Sequence, residues 1–327
     1  MMTKKYKIYL GIDISKLWID LVFKQNQKYQ YLKISNNEVG FQQLLDFIQE
    51  NQYNIKEIHA CCEATNVYYL PFSNFLNAHQ IAISVVNPSI IKSYAEYHLR
   101  RVKTDKQDAK LIADFCEHDK PELWQPKTEQ RIQLTSLHRR TNQLTQMLVS
   151  EKQRLEVADE YSQSSIQRTI EFIETELETC RTQMQQLIEE NQELKHKQKI
   201  LESITGIGRT TSQILLPVLI DIDKFQNHKK LISYLGLSPI IRQSGKHKGK
   251  ERVSKMGDSS IRKSLYMPAR SACTRSKLWR SWFDKQIARG KHAKQVYVMM
   301  MTKLIKYAYY CIKHNEMFDE SKHKINT

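Results

Sequence analysis

Hydrophobic periodicity changes twice along this chain, and the places where it changes restrict the fold more than any other feature. Residues 6–14 are one mostly apolar run, and Trp18–Phe23 and Tyr29–Ile34 alternate apolar and polar residues. Three such segments joined by short polar turns predict an antiparallel meander, because alternate side chains of a strand point to opposite faces. From Glu38 to Gln49 the period lengthens, with Phe41, Leu44, Leu45 and Ile48 at helical spacing. Short segments then alternate in type: a strand over Glu57–Cys62, a helix over Val67–Ala78, a strand over Ile81–Val86 closed by Asn87-Pro88, and further helices.

Past residue 126 the helical period dominates. Leu134, Leu137, Thr141, Leu144, Leu148, Glu151 and Leu155 follow a 3,4 spacing, as do Ile166, Ile170, Ile173, Leu177, Cys180, Met184, Leu187, Asn191 and Leu194. The intervening Tyr161-Ser162-Gln163-Ser164-Ser165 is expected to cap the second helix, and Asn191 to set register at a seam position. Two such helices form either a hairpin packed on its own domain or an arm for self-association. The order three strands, helix, strand, helix, strand, helix is the ribonuclease-H-like, RuvC-like arrangement. The expected architecture is therefore an α/β RuvC-like N-terminal domain (1–125), a long coiled-coil helical arm (126–200) and a mainly α-helical, basic C-terminal domain (201–327).

Charge separates these parts. Residues 224–327 hold 24 Lys and Arg against 6 Asp and Glu, whereas the rest of the chain holds 27 against 29. A surface so basic favours a polyphosphate partner, since each neutralised phosphate releases counterions. No stretch approaches the ~20 apolar residues of a spanning helix, so no membrane partner is expected. Asp13 interrupts the N-terminal apolar run too early for an export signal, which predicts a cytoplasmic protein. The six cysteines lack Cys-x-x-Cys or Cys/His ligand spacing, so neither zinc nor a disulfide framework is expected.

Four acids stand out. Asp13 lies within a predicted buried strand, where an ionised carboxylate is costly unless a cation or hydrogen bonds compensate it. Glu63 ends the strand carrying Cys61-Cys62. Thr104-Asp105-Lys106-Gln107 has capping-box spacing, which puts Asp105 and Asp108 on one face of a first helical turn, where they also suit the helix N-terminus electrostatically. Brought together, four carboxylates repel one another, and hard divalent cations such as Mg²⁺, or Mn²⁺, relieve that repulsion while holding a phosphodiester.

Two further segments suit phosphate. Gly206-Ile207-Gly208-Arg209 is a Gly-x-Gly turn of the sort that presents backbone N–H groups to phosphate, although a plain turn before a helix reads the same. Ser244 to Asp258 carries Lys246, Lys248, Lys250, Arg252 and Lys255, and Arg262 and Lys263 follow. Within it, Ser244 and Ser254 can serve as hydrogen-bond donors to phosphate, or one of them as a nucleophile whose alkoxide the cations stabilise.

Leu10-Gly11-Ile12-Asp13-Ile14-Ser15-Lys16, Glu63-Ala64-Thr65, Thr104 to Ala109 and the Ser244-Gly245 to Gly257-Asp258 block together resemble the DEDD-type insertion-sequence transposases related to the Piv invertase, bridge-RNA-guided recombinases. The resemblance covers nearly the full chain. It implies a metal-binding tetrad of Asp13, Glu63, Asp105 and Asp108, a C-terminal transposase domain, and Ser244 as a nucleophile that forms a phosphoserine link to DNA, with Ser254 in an equally family-like stretch. It further implies a homodimer or homotetramer that holds a non-coding guide RNA with donor and target duplexes, the tetrad of one subunit serving the serine of another. A bacterial or archaeal, nucleoid-associated location follows from the same resemblance. The family often has glycine where Asn66 stands, and asparagine tolerates the left-handed backbone better than most residues. A water-using RuvC-like nuclease and a non-catalytic nucleic-acid-binding protein are the alternatives. An actin-like or sugar-kinase-like ATPase would need further glycine-rich phosphate turns, and none is evident among the nine glycines.

Overall fold

The computed structural model describes residues 6–99, 104–126, 128–240, 243–244, 247–248, 252–254 and 256–322. The chain divides into two compact units, residues 1–127 and 128–327.

The first unit is built on a mixed five-stranded sheet. Strands β1 (Ile8–Ile14), β2 (Trp18–Gln25) and β3 (Lys28–Ser35) form the expected antiparallel meander, followed by helix α1 (Glu38–Glu50), β4 (Ile58–Glu63), α2 (Tyr69–Ala78), β5 (Ala82–Val86), α3 (Pro88–Tyr97) and α4 (Asp105–Asp119). The strand order is β3-β2-β1-β4-β5, with β1–β4 and β4–β5 parallel. This mixed α/β layout is the one read from the sequence and agrees with a ribonuclease-H-like unit.

The two faces of β1 differ. Ile8, Leu10, Ile12 and Ile14 are buried in a core shared with Phe41 and Leu44 of α1 and Phe72 and Leu76 of α2. The alternate residues Tyr9, Gly11 and Asp13 lie on the other face, and there α4 packs on β1 and β2. Gly11 permits this approach: a Cβ there would lie 2.0 Å from the Ala109 carbonyl oxygen and 2.3 Å from the Ala113 nitrogen. Ala109 and Ala113 are fully buried against Val22, so α4 rests on the sheet through small residues.

In the second unit, α5 (Glu129–Glu156) and α6 (Gln163–Glu190) pack along each other. After them come α7 (Gln192–Glu202), α8 (Arg209–Leu219), α9 (His228–Tyr234), two short ladders, and α10 (Ser259–Arg275), α11 (Lys277–Ala288) and α12 (Ala293–His314). The ladders pair β6 (Pro239–Ile240) with β9 (Arg252–Val253) and β7 (Gln243–Ser244) with β8 (His247–Lys248). Leu134, Met184 and Ile188 join the main core of this unit, whereas Leu144, Ile173, Leu177 and Cys180 form a cluster of their own between α5 and α6.

Three helical expectations need correction. Asn191 is not a seam residue: α6 ends at Glu190, and the Asn191 side chain caps α7 by accepting from the Glu193 and Leu194 N–H groups at 2.9 and 3.1 Å. The buried position after Met184 is accordingly Ile188 rather than Leu187, which is only partly covered. The serines after Tyr161 make no side-chain cap on α6. Asp159 holds that turn, accepting from the N–H groups of Tyr161 and Ser162 at 2.9 Å each.

Candidate functional site

Asp13 sits near the C-terminal end of β1, on the face that α4 covers. Thr104 caps α4, its hydroxyl accepting from the Gln107 N–H at 3.3 Å, and this fixes Asp105 and Asp108 in the first turn. Because α4 lies directly on Gly11, that turn comes to rest beside Asp13. The electrostatics register it: burial first, then the charges of Asp108, Asp105 and Asp20, push the Asp13 carboxyl up to about 6. Glu63 ends β4 one residue past the Ile12–Cys62 pair of the parallel register, next to the strand end that carries Asp13. Asn66 follows in the left-handed conformation (φ 51°), as expected of asparagine there. Among the described residues, no group of three or more His, Cys, Asp or Glu side chains is drawn closely enough to hold a metal ion.

A fifth acid belongs to this neighbourhood. Asp20 pairs with Asp13 in the β1–β2 register and is buried, accepting from the Tyr31 hydroxyl and lying 3.6 Å from the Lys33 ammonium. Asp20 alternates with Ile19 and Leu21 along β2, so it lies on the face of Val22 rather than in their core. Asp20 therefore differs from Asp13 in having a hydroxyl and a cation for partners. Further along the same face, buried Lys24 meets Asp114 and Glu117 of α4 at 2.8 and 2.6 Å. Burial works against its charge, but the hydrogen bonds to Asp114 and Glu117 outweigh that and raise its pKa.

In the second unit, Gly206 takes φ 102°, and a Cβ there would lie 2.5 Å from the Pro268 carbonyl oxygen. Glycine is thus required by packing as well as by conformation. Gly208 is the N-cap of α8 with no side-chain cap, and nothing lies within 4 Å of where its Cβ would be. Arg209 is exposed, its Nε donating to Gln185 at 3.1 Å.

Ser244 pairs with His247 across the β7–β8 ladder, and Gln243 with Lys248. Ser254 lies in a turn, where its hydroxyl accepts from the Met256 N–H at 3.3 Å and its N–H donates to the Ser238 carbonyl at 2.8 Å. Arg252 and Lys263 are exposed. Arg262 is engaged internally, donating to the Leu235 and Gly257 carbonyls at 3.1 and 2.9 Å. Lys246, Lys250 and Lys255 lie outside the described residues. Sequence reading missed one polar cluster here. Buried His138 of α5 lies 3.1 Å from the Ser260 hydroxyl at the start of α10, and that hydroxyl donates to Asp258 at 2.7 Å. The only sequence signal for it is a histidine one residue past Leu137 in the α5 seam.

Comparison with known proteins places this geometry in a family. A family model described as transposase, of the DEDD and IS110 type, matches residues 10–158, the span that contains all four acids. A second, described as transposase of the IS116/IS110/IS902 family, matches residues 198–284, which include Gly206, Ser244 and Arg262. The pilin gene-inverting proteins of Moraxella bovis and Moraxella lacunata are each 34% identical over 97% of this chain and 99% of their own length. A transposase for insertion sequence element IS1533 from Leptospira borgpetersenii is 30% identical over 33% of this chain and 30% of its own. Among the described residues no helix is long and apolar enough to cross a membrane. With two family models in tandem and relatives similar from end to end, the chain belongs to the IS110 family of transposases and its pilin gene-inverting kin.

Proposed function

We propose that this chain is a site-specific DNA recombinase in which Asp13, Glu63, Asp105 and Asp108 hold a divalent cation and Ser244 attacks the DNA backbone. The observation that carries the reading is the seating of Asp105 and Asp108 over Asp13, made possible by Gly11. Unlike Asp20, Asp13 forms no salt bridge among the described residues, so the surplus negative charge there suits a hard cation held by oxygen donors. Mg²⁺ fits this donor set, and Mn²⁺ would as well. When bound, such an ion neutralises charge that develops on the scissile phosphate.

The remaining chemistry belongs to the chain. The Ser244 Oγ forms a bond to phosphorus as one deoxyribose oxygen leaves; the serine proton is lost and the departing oxygen takes one up to become a free hydroxyl, so that a phosphoserine ester conserves the broken linkage for rejoining. Ser254, whose hydroxyl accepts a hydrogen bond from the Met256 N–H, is the alternative nucleophile. Gly206, Gly208 and Arg209 at the open start of α8, with Arg252 and Lys263, supply N–H groups and cations to DNA or RNA phosphates. Arg262 is better assigned to holding the Leu235 and Gly257 carbonyls that shape the serine-bearing segment.

The same reading extends to assembly. The α5–α6 pair acts as a coiled-coil arm in a dimer or tetramer, so that the acids of one subunit serve the serine of another. A non-coding RNA pairing with donor and target duplexes selects the sites. Asp13→Asn tests the acid assignment: strand cleavage should fall at least about a thousandfold, with duplex affinity within a few-fold of the parent. Equal cleavage by the variant would remove Asp13 from the site.

A further inference from the structure

Beside the acids lies a surface that the proposed function leaves without a task. β3 is an edge strand, and on the face it shares with α4 it presents Tyr29, Tyr31 and Lys33 at alternate positions. Trp18 of β2 continues the row, paired with Ser35. All three rings are exposed: Trp18 at 50%, Tyr31 at 38% and Tyr29 at 36%. A lysine ammonium stands over each. Lys33 is 5.8 Å from the Trp18 ring centre, Lys106 is 4.9 Å from that of Tyr31, and Lys110 is 4.0 Å from that of Tyr29. Two of these lysines belong to the first turns of α4, which also carry Asp105 and Asp108.

From this arrangement we infer that the row Trp18–Lys33–Tyr31–Lys106–Tyr29–Lys110 is a stacking platform that receives unpaired bases of the DNA strand leading to the acidic site. The inference rests on the functional reading given above and adds a binding surface to it. Aromatic faces stack on any base, and the lysine ammonium groups that stand over them swing aside to meet the phosphates when a base takes their place, a combination that selects single-stranded nucleic acid. A duplex hides its base faces, and an acidic peptide would engage the lysines while leaving the rings unused. The dimensions agree. Asp13, Asp20 and Lys33 share one row across three strands, so the platform begins about 10 Å from Asp13 at two strand spacings. Six residues separate the Trp18 row from Tyr29 along β3, or about 20 Å of track. Lysines on an edge strand also deter edge-to-edge pairing, but that role explains neither the exposed rings nor the lysines that α4 brings to them.

The test uses the full chain with a roughly 20-nucleotide single-stranded DNA containing 5-iododeoxyuridine, a photochemical crosslinker to aromatic rings. Irradiation should give peptide adducts at Trp18, Tyr29 or Tyr31. Trp18→Ala and Tyr31→Ala should each weaken single-strand binding about tenfold, and Tyr31→Phe, which keeps the ring, should stay within twofold. Adducts confined to other residues, or alanine variants that bind single strands as the parent does, would overturn the platform. The outcome is separable from that of the cleavage reading. Loss of stacking with intact metal-dependent cleavage would remove only this surface, whereas ring-dependent binding in a protein that never cleaves would remove only the catalytic proposal.

Discussion

Gly11 shows how one residue organises the candidate site. Its missing side chain lets α4 settle onto β1, and the acids of that helix reach Asp13 only because of this contact. Gly11→Val should destabilise the protein by at least about 3 kcal/mol, since the clash is with backbone that cannot rotate away. Urea unfolding would show the loss, and a variant as stable as the parent would mean that α4 is not held this way. Titration gives a second prediction at this scale. Asp13 has a folded pKa raised to about 6, so its contribution to stability is present below about 4 and is lost as pH rises toward 6. His59, buried in β4 beside Ser84, is lowered to about 4 by burial, so its contribution is present above about 6.5 and is lost as pH falls toward 4. The two oppose each other over the same window. Asp13→Asn should therefore steepen the fall in melting temperature between pH 6.5 and 4, and an unchanged profile would contradict the assigned environment of Asp13. Both acids of α4 could be read from the Thr104 capping box, yet Asp20 could not: its relevance depends on the β1–β2 register, which local pattern does not supply.

At the scale of elements, the strands and helices of the first unit follow the periodicity closely, because each buries one face and its residues show which. Boundaries were less legible where side chains outside the period decide them. Asn191 fits a heptad seam by spacing but ends up capping α7, because its carboxamide can satisfy two N–H groups there that a seam position would leave it without. Asp159, rather than the serines beyond it, secures the α5–α6 turn. The cluster of Leu144, Ile173, Leu177 and Cys180 holds the two helices together. Leu177→Asp buries a charge in that cluster and should cost several kcal/mol, about 3 or more. Reduced helicity by circular dichroism and a lower melting temperature would record it. Phe172 on α6 is 64% exposed, and Phe172→Asp should leave the hairpin folded. If the arm mediates assembly through that face, the same substitution lowers the mass by light scattering, and an unchanged mass would place self-association elsewhere.

For the whole molecule, the charge asymmetry and the motif order pointed to nucleic-acid chemistry, and similarity to the pilin gene-inverting proteins along nearly the entire chain bears out the family. The chemistry of serine was not readable from spacing, since a serine among cations serves equally as a phosphate donor or a nucleophile. The choice of Ser244 as nucleophile comes from the resemblance of its segment to the transposase family, and it is a proposal that experiment can separate from Ser254. The measurement that decides the account is to incubate the full chain with Mg²⁺, donor and target DNA and the RNA transcribed from the flanking sequence, then to denature the protein and look for DNA that remains attached to it. An adduct is expected in the parent protein; it should persist in Ser254→Ala and be lost in Ser244→Ala and in Asp13→Asn. Cleavage without any adduct, or an adduct that survives Ser244→Ala, would contradict the assignment of Ser244.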